Sequence, residues 1–183
     1  MEMKMSKTLQ NYLAAIQHNV NGGARNPKIR FAAYKLILRE NFGMLPAQRQ
    51  LEAAVELNYP PALVELAVLF LNGQYIEKTE DGFQAVADSK RAIKFLKKAA
   101  DMGDPQACLL LAACYCKGIG CSQSEIEAER YISQIDGESL RQIFGNSEEG
   151  TGLCANLLKQ VVYLLGVWPI PALYAGIKKE EGE

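Results

Sequence analysis

Four of the five cysteines in this 183-residue chain lie close together in the sequence, at Cys108, Cys114, Cys116 and Cys121. Clustered thiols can bind zinc, form disulfides or supply a nucleophile. Zinc sites usually space their cysteines in C-x-x-C pairs, and this cluster contains no such pair. Three of the four fall within a predicted helix. We therefore expect the cysteines to pack as small apolar residues, and we expect no metal and no cofactor.

Catalysis by a cysteine would require a base beside the thiol. His18 is the only histidine, and it lies near the N-terminus, far in sequence from the cysteine cluster. The acidic residues of segment 125–129 lie at the start of a predicted helix. There, Ser122 and Ser124 each precede a glutamate by three residues, as in a capping box. These carboxylates thus indicate a helix terminus, and the sequence predicts a chain without a catalytic site.

The elements that carry these residues repeat at an offset of 45 positions. Eight residues of segment 54–73 recur as similar types in segment 99–118. They are Ala54, Leu57, Pro60, Ala62, Leu66, Ala67, Phe70 and Gly73, which correspond to Ala99, Met102, Pro105, Ala107, Leu111, Ala112, Tyr115 and Gly118. Such self-similarity marks a repeat architecture, in which each unit buries its apolar face against a copy of itself.

Each copy predicts two helices that meet at a tight turn. Apolar residues at helical spacing precede the turn, which falls at Asn58 in one copy and at Gly103 in the other. Gly103 can adopt a positive φ, Asp104 can cap the next helix, and Pro105 suits its first turn. We expect helix pairs at 47–57 and 61–72, and at 90–102 and 105–117.

At these residues the chain resembles the Sel-1-like repeats, which are relatives of the tetratricopeptide repeat. The pattern of that family stands here as segment 99–103, Ala107, Leu111, Tyr115 and Gly118-Ile119-Gly120. The upstream copy is degenerate, because Asn58 replaces the turn glycine. A weaker third copy begins near Pro27, so the resemblance covers about residues 27–134.

The resemblance implies an all-α fold, a right-handed superhelix or α-α solenoid of two to three helical hairpins. The whole chain, 1–183, would form a single domain. It would comprise an N-terminal helix and loop at 1–26, repeats at 27–134 with an insertion at 74–90, and capping helices and a tail at 135–183. The resemblance also implies a non-catalytic protein-protein interaction module, such as an adaptor, a regulator or a bacterial immunity protein. A β-lactamase-like hydrolase, an activity attributed to some members, is the alternative.

In this architecture the first helix of each hairpin lines the inner, concave surface, where the hairpin is counted from the helix that follows the tight turn. The candidate partner-binding residues on that surface are Tyr34, Leu38, Glu65, Val68, Leu109, Ala113 and Lys117. The predicted surface is largely apolar. Either the superhelix closes tightly on itself there, or the surface holds a hydrophobic segment of a partner, with the polar members at the rim.

Charge gives little indication of other partners. A net charge of −1 argues against a general attraction to nucleic acid or to an anionic membrane. The basic residues of one predicted helix share its outer face, and we call them the basic stripe: Lys90, Arg91, Lys94, Lys97 and Lys98. The stripe is typical of a solvated helix surface, with an acidic partner as the alternative. The polar insertion at 74–90 is predicted to be a long loop, either a tolerated surface insertion or a functional one.

The C-terminal region departs from the repeat. Val161–Ile177 is a run of 17 residues without a charge, near the lower limit of ~17 residues for a membrane span. Pro169 and Pro171 interrupt it, and segment 150–166 already forms a complete amphipathic helix pattern. We therefore favour a cap over the open end of the solenoid. A docking segment for a partner or a second copy, and membrane insertion, are the alternatives.

Two observations favour the cytoplasm. The first residues lead into an amphipathic pattern and lack the apolar core of a secretory signal. Some secreted members of the resembled family staple each hairpin with a disulfide. Cys108 occupies one of the two positions, but Ala100 occupies the other. We expect this staple to be absent, as in a reducing compartment.

Overall fold

The computed structural model describes residues 5–17 and 25–145. The helices are α1 (Lys7–Gln17), α2 (Pro27–Arg39), α3 (Met44–Glu56), α4 (Pro60–Leu71), α5 (Ser89–Asp101), α6 (Pro105–Lys117), α7 (Glu125–Ile132) and α8 (Gly137–Gly145), and the strands are β1 (Tyr75–Thr79) and β2 (Gly82–Val86). The chain divides into two compact units, Met1–Asp88 and Ser89–Glu183, here called the N-terminal unit and the C-terminal unit.

The predicted pairs of repeat helices are confirmed as α3 with α4 and α5 with α6, with bounds shifted by at most three residues. The turn inside each pair has the same geometry. Asn58 has a φ of 55° and its N–H donates to the Val55 carbonyl at 2.9 Å. At the equivalent position Gly103 has a φ of 83° and its N–H donates to the Ala100 carbonyl at 2.8 Å. The sequence repeat is thus a structural repeat.

Capping side chains fix where the helices begin. The Asp104 carboxylate accepts the Ala107 N–H at 2.9 Å, and Pro105 occupies the first turn of α6. The Ser124 hydroxyl accepts the Glu127 N–H at 3.3 Å, so Ser124 is the N-cap of α7. These caps pair backbone N–H groups that have no partner within the helix.

Small residues are fully buried in the paired helices. The alanines of the repeated pattern have no exposed surface: Ala54, Ala62 and Ala67 in the N-terminal unit, and Ala99, Ala107 and Ala112 in the C-terminal unit. Larger side chains such as Leu51, Leu96 and Leu111 are also fully buried and fill the remaining space. Each core therefore combines close helix contacts with dense packing.

α2 of the N-terminal unit begins at Pro27, where the weak third copy of the repeat was predicted to begin. α2 packs against α3, and α1 packs against α2. The Asn26 side chain accepts the Lys28 N–H at 3.0 Å and caps α2, and Pro27 is its first residue. The N-terminal helix predicted within 1–26 is α1.

The insertion at 74–90 is not the loop that its polar composition suggested. It forms a β-hairpin in which β1 and β2 pair antiparallel, with Tyr75 opposite Val86 and Thr79 opposite Gly82. Residues 80 and 81 make the turn, and α5 already begins at Ser89. The hairpin is an addition to an otherwise helical fold.

α7 and α8 follow the repeated pair in the C-terminal unit, and both contact α6. The predicted capping helix at 150–166, the apolar run Val161–Ile177 and His18 lie outside the described residues. Within the described ranges, no helix is long and apolar enough to cross a membrane.

Gly120, in the loop after α6, and Gly103, in the turn before α6, differ in the space around them. Gly120 has a φ of 70°, and a Cβ built there would lie 2.4 Å from the Ser89 carbonyl oxygen. Gly103 has a φ of 83°, but a Cβ there would meet nothing within 4 Å. The two positions share the backbone strain and differ in the space available.

We predict that Gly103→Ala lowers the free energy of unfolding by about 1–2 kcal/mol, since alanine resists the left-handed conformation. Gly120→Ala should cost an additional 1–3 kcal/mol or so, because its methyl group must displace the Ser89 backbone. Urea denaturation of both variants measures the difference. Equal losses would contradict the close approach of Gly120 to Ser89.

Candidate protein-binding site

The N-terminal unit contributes four of the seven predicted partner-binding residues. The Tyr34 hydroxyl, from α2, donates to Glu65 Oε1, from α4, at 2.8 Å, and both side chains are buried. Val68 has no exposed surface, and Leu38 is half-buried. The structure thus brings α2 and α4 together around a buried polar contact, and Leu38 is the most accessible of the four.

The C-terminal unit contributes the other three, which lie along one face of α6 at intervals of four residues. Leu109 and Ala113 are buried, whereas Lys117 is exposed at the C-terminal end of the helix. A partner that binds the free chain without rearrangement can touch Lys117 directly. Contact at the buried positions stays a prediction.

The basic stripe lies on the outer face of α5, as predicted. All five of its side chains are exposed, while Ala92, Leu96 and Ala99 on the other face are buried. The Lys97 ammonium lies 5.6 Å from the centre of the Tyr115 ring, and hydrogen bonding with Tyr115 raises the pKa of Lys97. Lys97 thus stays positively charged at neutral pH.

Aromatic rings continue inward from Lys97. Tyr115 stacks on Tyr131, with 5.7 Å between ring centres, and the Arg130 guanidinium lies 4.6 Å from the Tyr131 ring. Burial is the main cause that raises the pKa of Tyr131. Two cations therefore flank a pair of stacked tyrosine rings, an arrangement that stabilises the contact between α6 and α7.

The four described cysteines carry free thiols, with Cys108 and Cys114 buried and Cys116 and Cys121 half-buried. Burial raises the pKa of all four, and that of Cys114 to about 12. A thiol that stays protonated at neutral pH is a poor nucleophile and a poor metal ligand. No group of described residues has the composition and proximity of a metal site.

Sequence reasoning missed the role of Gln48, a buried side chain of α3. Its amide Nε2 donates to the Ile76 carbonyl at 2.8 Å, and its Oε1 accepts the Ile76 N–H at 2.9 Å. Glu52 supports the same junction, since it accepts hydrogen bonds from Gln48 at 2.9 Å and from the Tyr75 hydroxyl at 2.8 Å. One amide thus holds β1 as a neighbouring strand would.

The hairpin itself left a signal in the sequence. Two short segments with aromatic and β-branched residues, 75–79 and 82–86, flank the polar turn Glu80-Asp81. Gly82 follows this turn directly. A glycine-containing turn between two such segments is typical of a hairpin. The many charges between Glu77 and Asp81 obscured it.

The Sel1 repeat family model matches the chain at residues 60–104 and 105–134. The chain contains two Sel1 repeats. The first comprises α4, the β-hairpin and α5, and the second comprises α6 and α7. Sel1 repeats are general protein-interaction modules.

A solved structure supports the same fold for this chain. The chain is similar to the crystal structure of a Sel1 repeat protein from Oxalobacter formigenes, with a TM-score of 0.56 and 19% sequence identity. The match covers 75% of this chain and 97% of the other. The predicted α-α solenoid class is thereby confirmed. No curated protein matches the chain.

We predict that Gln48→Ala lowers the free energy of unfolding by about 1–3 kcal/mol, because it leaves both backbone groups of Ile76 without their partner. Arg49→Ala is the matched control, since Arg49 is exposed on the same helix, and it should change stability by less than about 0.5 kcal/mol. Urea denaturation compares the two. Similar values would show that the amide does not anchor the hairpin.

Thiol labelling should follow burial. At pH 8 a Cys114 pKa of about 12 leaves roughly one thiolate in ten thousand. We therefore expect iodoacetamide to modify Cys116 and Cys121 before Cys108 and Cys114, with Cys114 slowest. Because thiolate is the reactive form, the rate at which Cys114 is modified should rise about tenfold per pH unit. Tandem mass spectrometry of tryptic peptides measures the order, since fragmentation distinguishes Cys108, Cys114 and Cys116, which share the peptide 99–117. Cys114 reacting as fast as Cys121 would refute it.

Proposed function

We propose that this chain is a non-catalytic protein-binding module that acts as an adaptor, a regulator or a bacterial immunity protein by holding one partner protein. The two Sel1 repeats are the observation that carries the proposal, since such repeats are general interaction modules. Stacked helical hairpins suit this role because they present several helix faces to a partner.

The chemistry of the described residues supports binding over catalysis. The thiols, which are the strongest potential nucleophiles, have raised pKa values because they are buried. The Tyr34 to Glu65 bond lies in the interior of the N-terminal unit, where a substrate would not reach it. Nothing in the described part of the chain favours the alternative of a β-lactamase-like hydrolase. Free thiols also fit action in a reducing compartment such as the cytoplasm.

The predicted binding residues would divide into two roles. Lys117 and Leu38 are accessible and would touch the partner directly. Tyr34, Glu65, Val68, Leu109 and Ala113 are buried and would position the helices that carry them. A charged rim residue mainly changes the association rate and its salt dependence, so Lys117 offers the cleaner test.

Lys117→Glu should slow association with the partner several-fold and change its salt dependence, since the substitution inverts a charge at the contact. The partner is first captured from a lysate of the source organism with the full chain and identified by mass spectrometry. Surface plasmon resonance of the purified pair then gives the rates.

Lys94→Glu is the matched control, because Lys94 is equally accessible but lies on the basic stripe of α5. It should leave association nearly unchanged. The opposite pattern, with loss at Lys94 and none at Lys117, would move the binding site to the outer helix. Failure to capture any stoichiometric partner would refute the proposed function itself.

A further inference from the structure

The two edges of the β-hairpin differ in whether their outward backbone N–H and C=O groups have hydrogen-bond partners. In an antiparallel pair, successive residues direct their N–H and C=O groups alternately toward the other strand and away from it. Ile76 gives both groups to Gln48, so they point away from β2. Ala85, which lies opposite Ile76, must therefore point both of its groups away from β1. Phe83, opposite Lys78, does the same.

The outer edge of β2 is thus open where β1 is closed. Phe83 is 60% exposed, and Gln84 and Ala85 are exposed as well. Across residues 5–17 and 25–145, no strand or side chain pairs with the outward N–H and C=O groups of Phe83 and Ala85. These four groups, two donors and two acceptors, form a template for another strand.

The side chains of β2 do not protect this edge. Natural edge strands usually carry a charge or a proline that prevents pairing with another chain. β2 has the sequence Gly-Phe-Gln-Ala-Val and carries neither, although β1 carries Glu77 and Lys78. An open edge with an exposed aromatic ring is suited to binding an extended segment.

We propose that the outer edge of β2 binds an extended segment of the partner protein as a third, antiparallel strand. This inference rests on the proposed function, because it specifies what part of a partner the module takes. Main-chain hydrogen bonds to Phe83 and Ala85 supply affinity, and the side chains set specificity. An aromatic or β-branched residue of the segment pairs with Phe83.

Charge defines the direction and the end of the segment. Glu80 and Asp81, both exposed, form the turn just before β2. An antiparallel segment ends beside the start of β2, so its C-terminal side meets these two carboxylates. A lysine or arginine at that end complements them, and an acidic residue is rejected.

A second copy of this chain is a poorer occupant of the edge. Two-fold pairing centred on Gln84 would place Asp88 opposite Glu80 of the other copy, and like charges directly opposite are destabilising. A five-residue strand also falls short of the roughly 20–30 residues a side that a stable interface uses. A short linear segment needs no such area for a transient contact.

The test selects a phage-displayed library of random dodecapeptides against the full chain, and calorimetry measures one enriched synthetic peptide. Ala85→Pro removes an outward N–H that the β1–β2 ladder does not use. It should weaken peptide binding at least about tenfold, because a hydrogen bond in the added strand is lost. Enriched peptides should carry apolar residues followed by a basic residue.

Two further variants complete the design. Phe83→Lys keeps every backbone group but removes the aromatic contact and repels a basic end, so it should also weaken binding at least about tenfold. Gln84→Thr is the control, because the Gln84 backbone pairs with β1 and its side chain lies on the other face of the strand from Phe83. It should leave the affinity within about twofold of the unmodified chain.

Several outcomes would overturn the inference. These are a library without enriched peptides, peptides that bind the Ala85→Pro and Phe83→Lys variants as well as the original chain, and enrichment of acidic ends. A dimer in sedimentation equilibrium that Ala85→Pro dissociates would assign the edge to a second copy. If the captured partner still binds the Ala85→Pro variant at full affinity, the proposed function stands and only the strand-edge inference fails.

Discussion

Close packing around buried alanines of the paired helices is the constraint on which both units depend. In each unit three alanines at equivalent positions have no exposed surface, and a left-handed residue, Asn58 or Gly103, turns the chain between the paired helices. Because protein interiors are close-packed, a larger side chain at such a contact forces the helices apart. Loops can change length without disturbing this contact, so repeats of one geometry carry very different connections.

The two connections in this chain show what such freedom allows. An aromatic residue near the end of the second helix of each pair stacks on a tyrosine of a later element. Phe70 stacks on Tyr75 of β1 with 4.2 Å between ring centres, and Tyr115 stacks on Tyr131 of α7 with 5.7 Å. In the N-terminal unit the following element is a β-hairpin, which Gln48 holds at its inner edge. Within residues 5–17 and 25–145, the helical repeat fold thereby gains a strand whose outer edge is unpaired.

Local signals were enough to predict the repeat helices, because caps, turn residues and apolar spacing act within a few positions of each other. Asp104 and Ser124 cap the helices that their sequence positions indicated. The partner-binding surface was harder, since a 100° step along α4 assigns Val68 to a face but cannot say what covers that face. The junction at Gln48 depends on a contact with Ile76, 28 positions away, which no local pattern contains.

One edge of the hairpin is anchored to α3 by Gln48, whereas no described residue pairs with the other edge. Residue-resolved amide hydrogen exchange of the free chain tests this difference most directly. We expect slow exchange at Ile76 and Gln84, whose N–H groups are bonded, and fast exchange at Phe83 and Ala85. Slow exchange at all four would contradict the open edge, and fast exchange at all four would contradict the anchored hairpin.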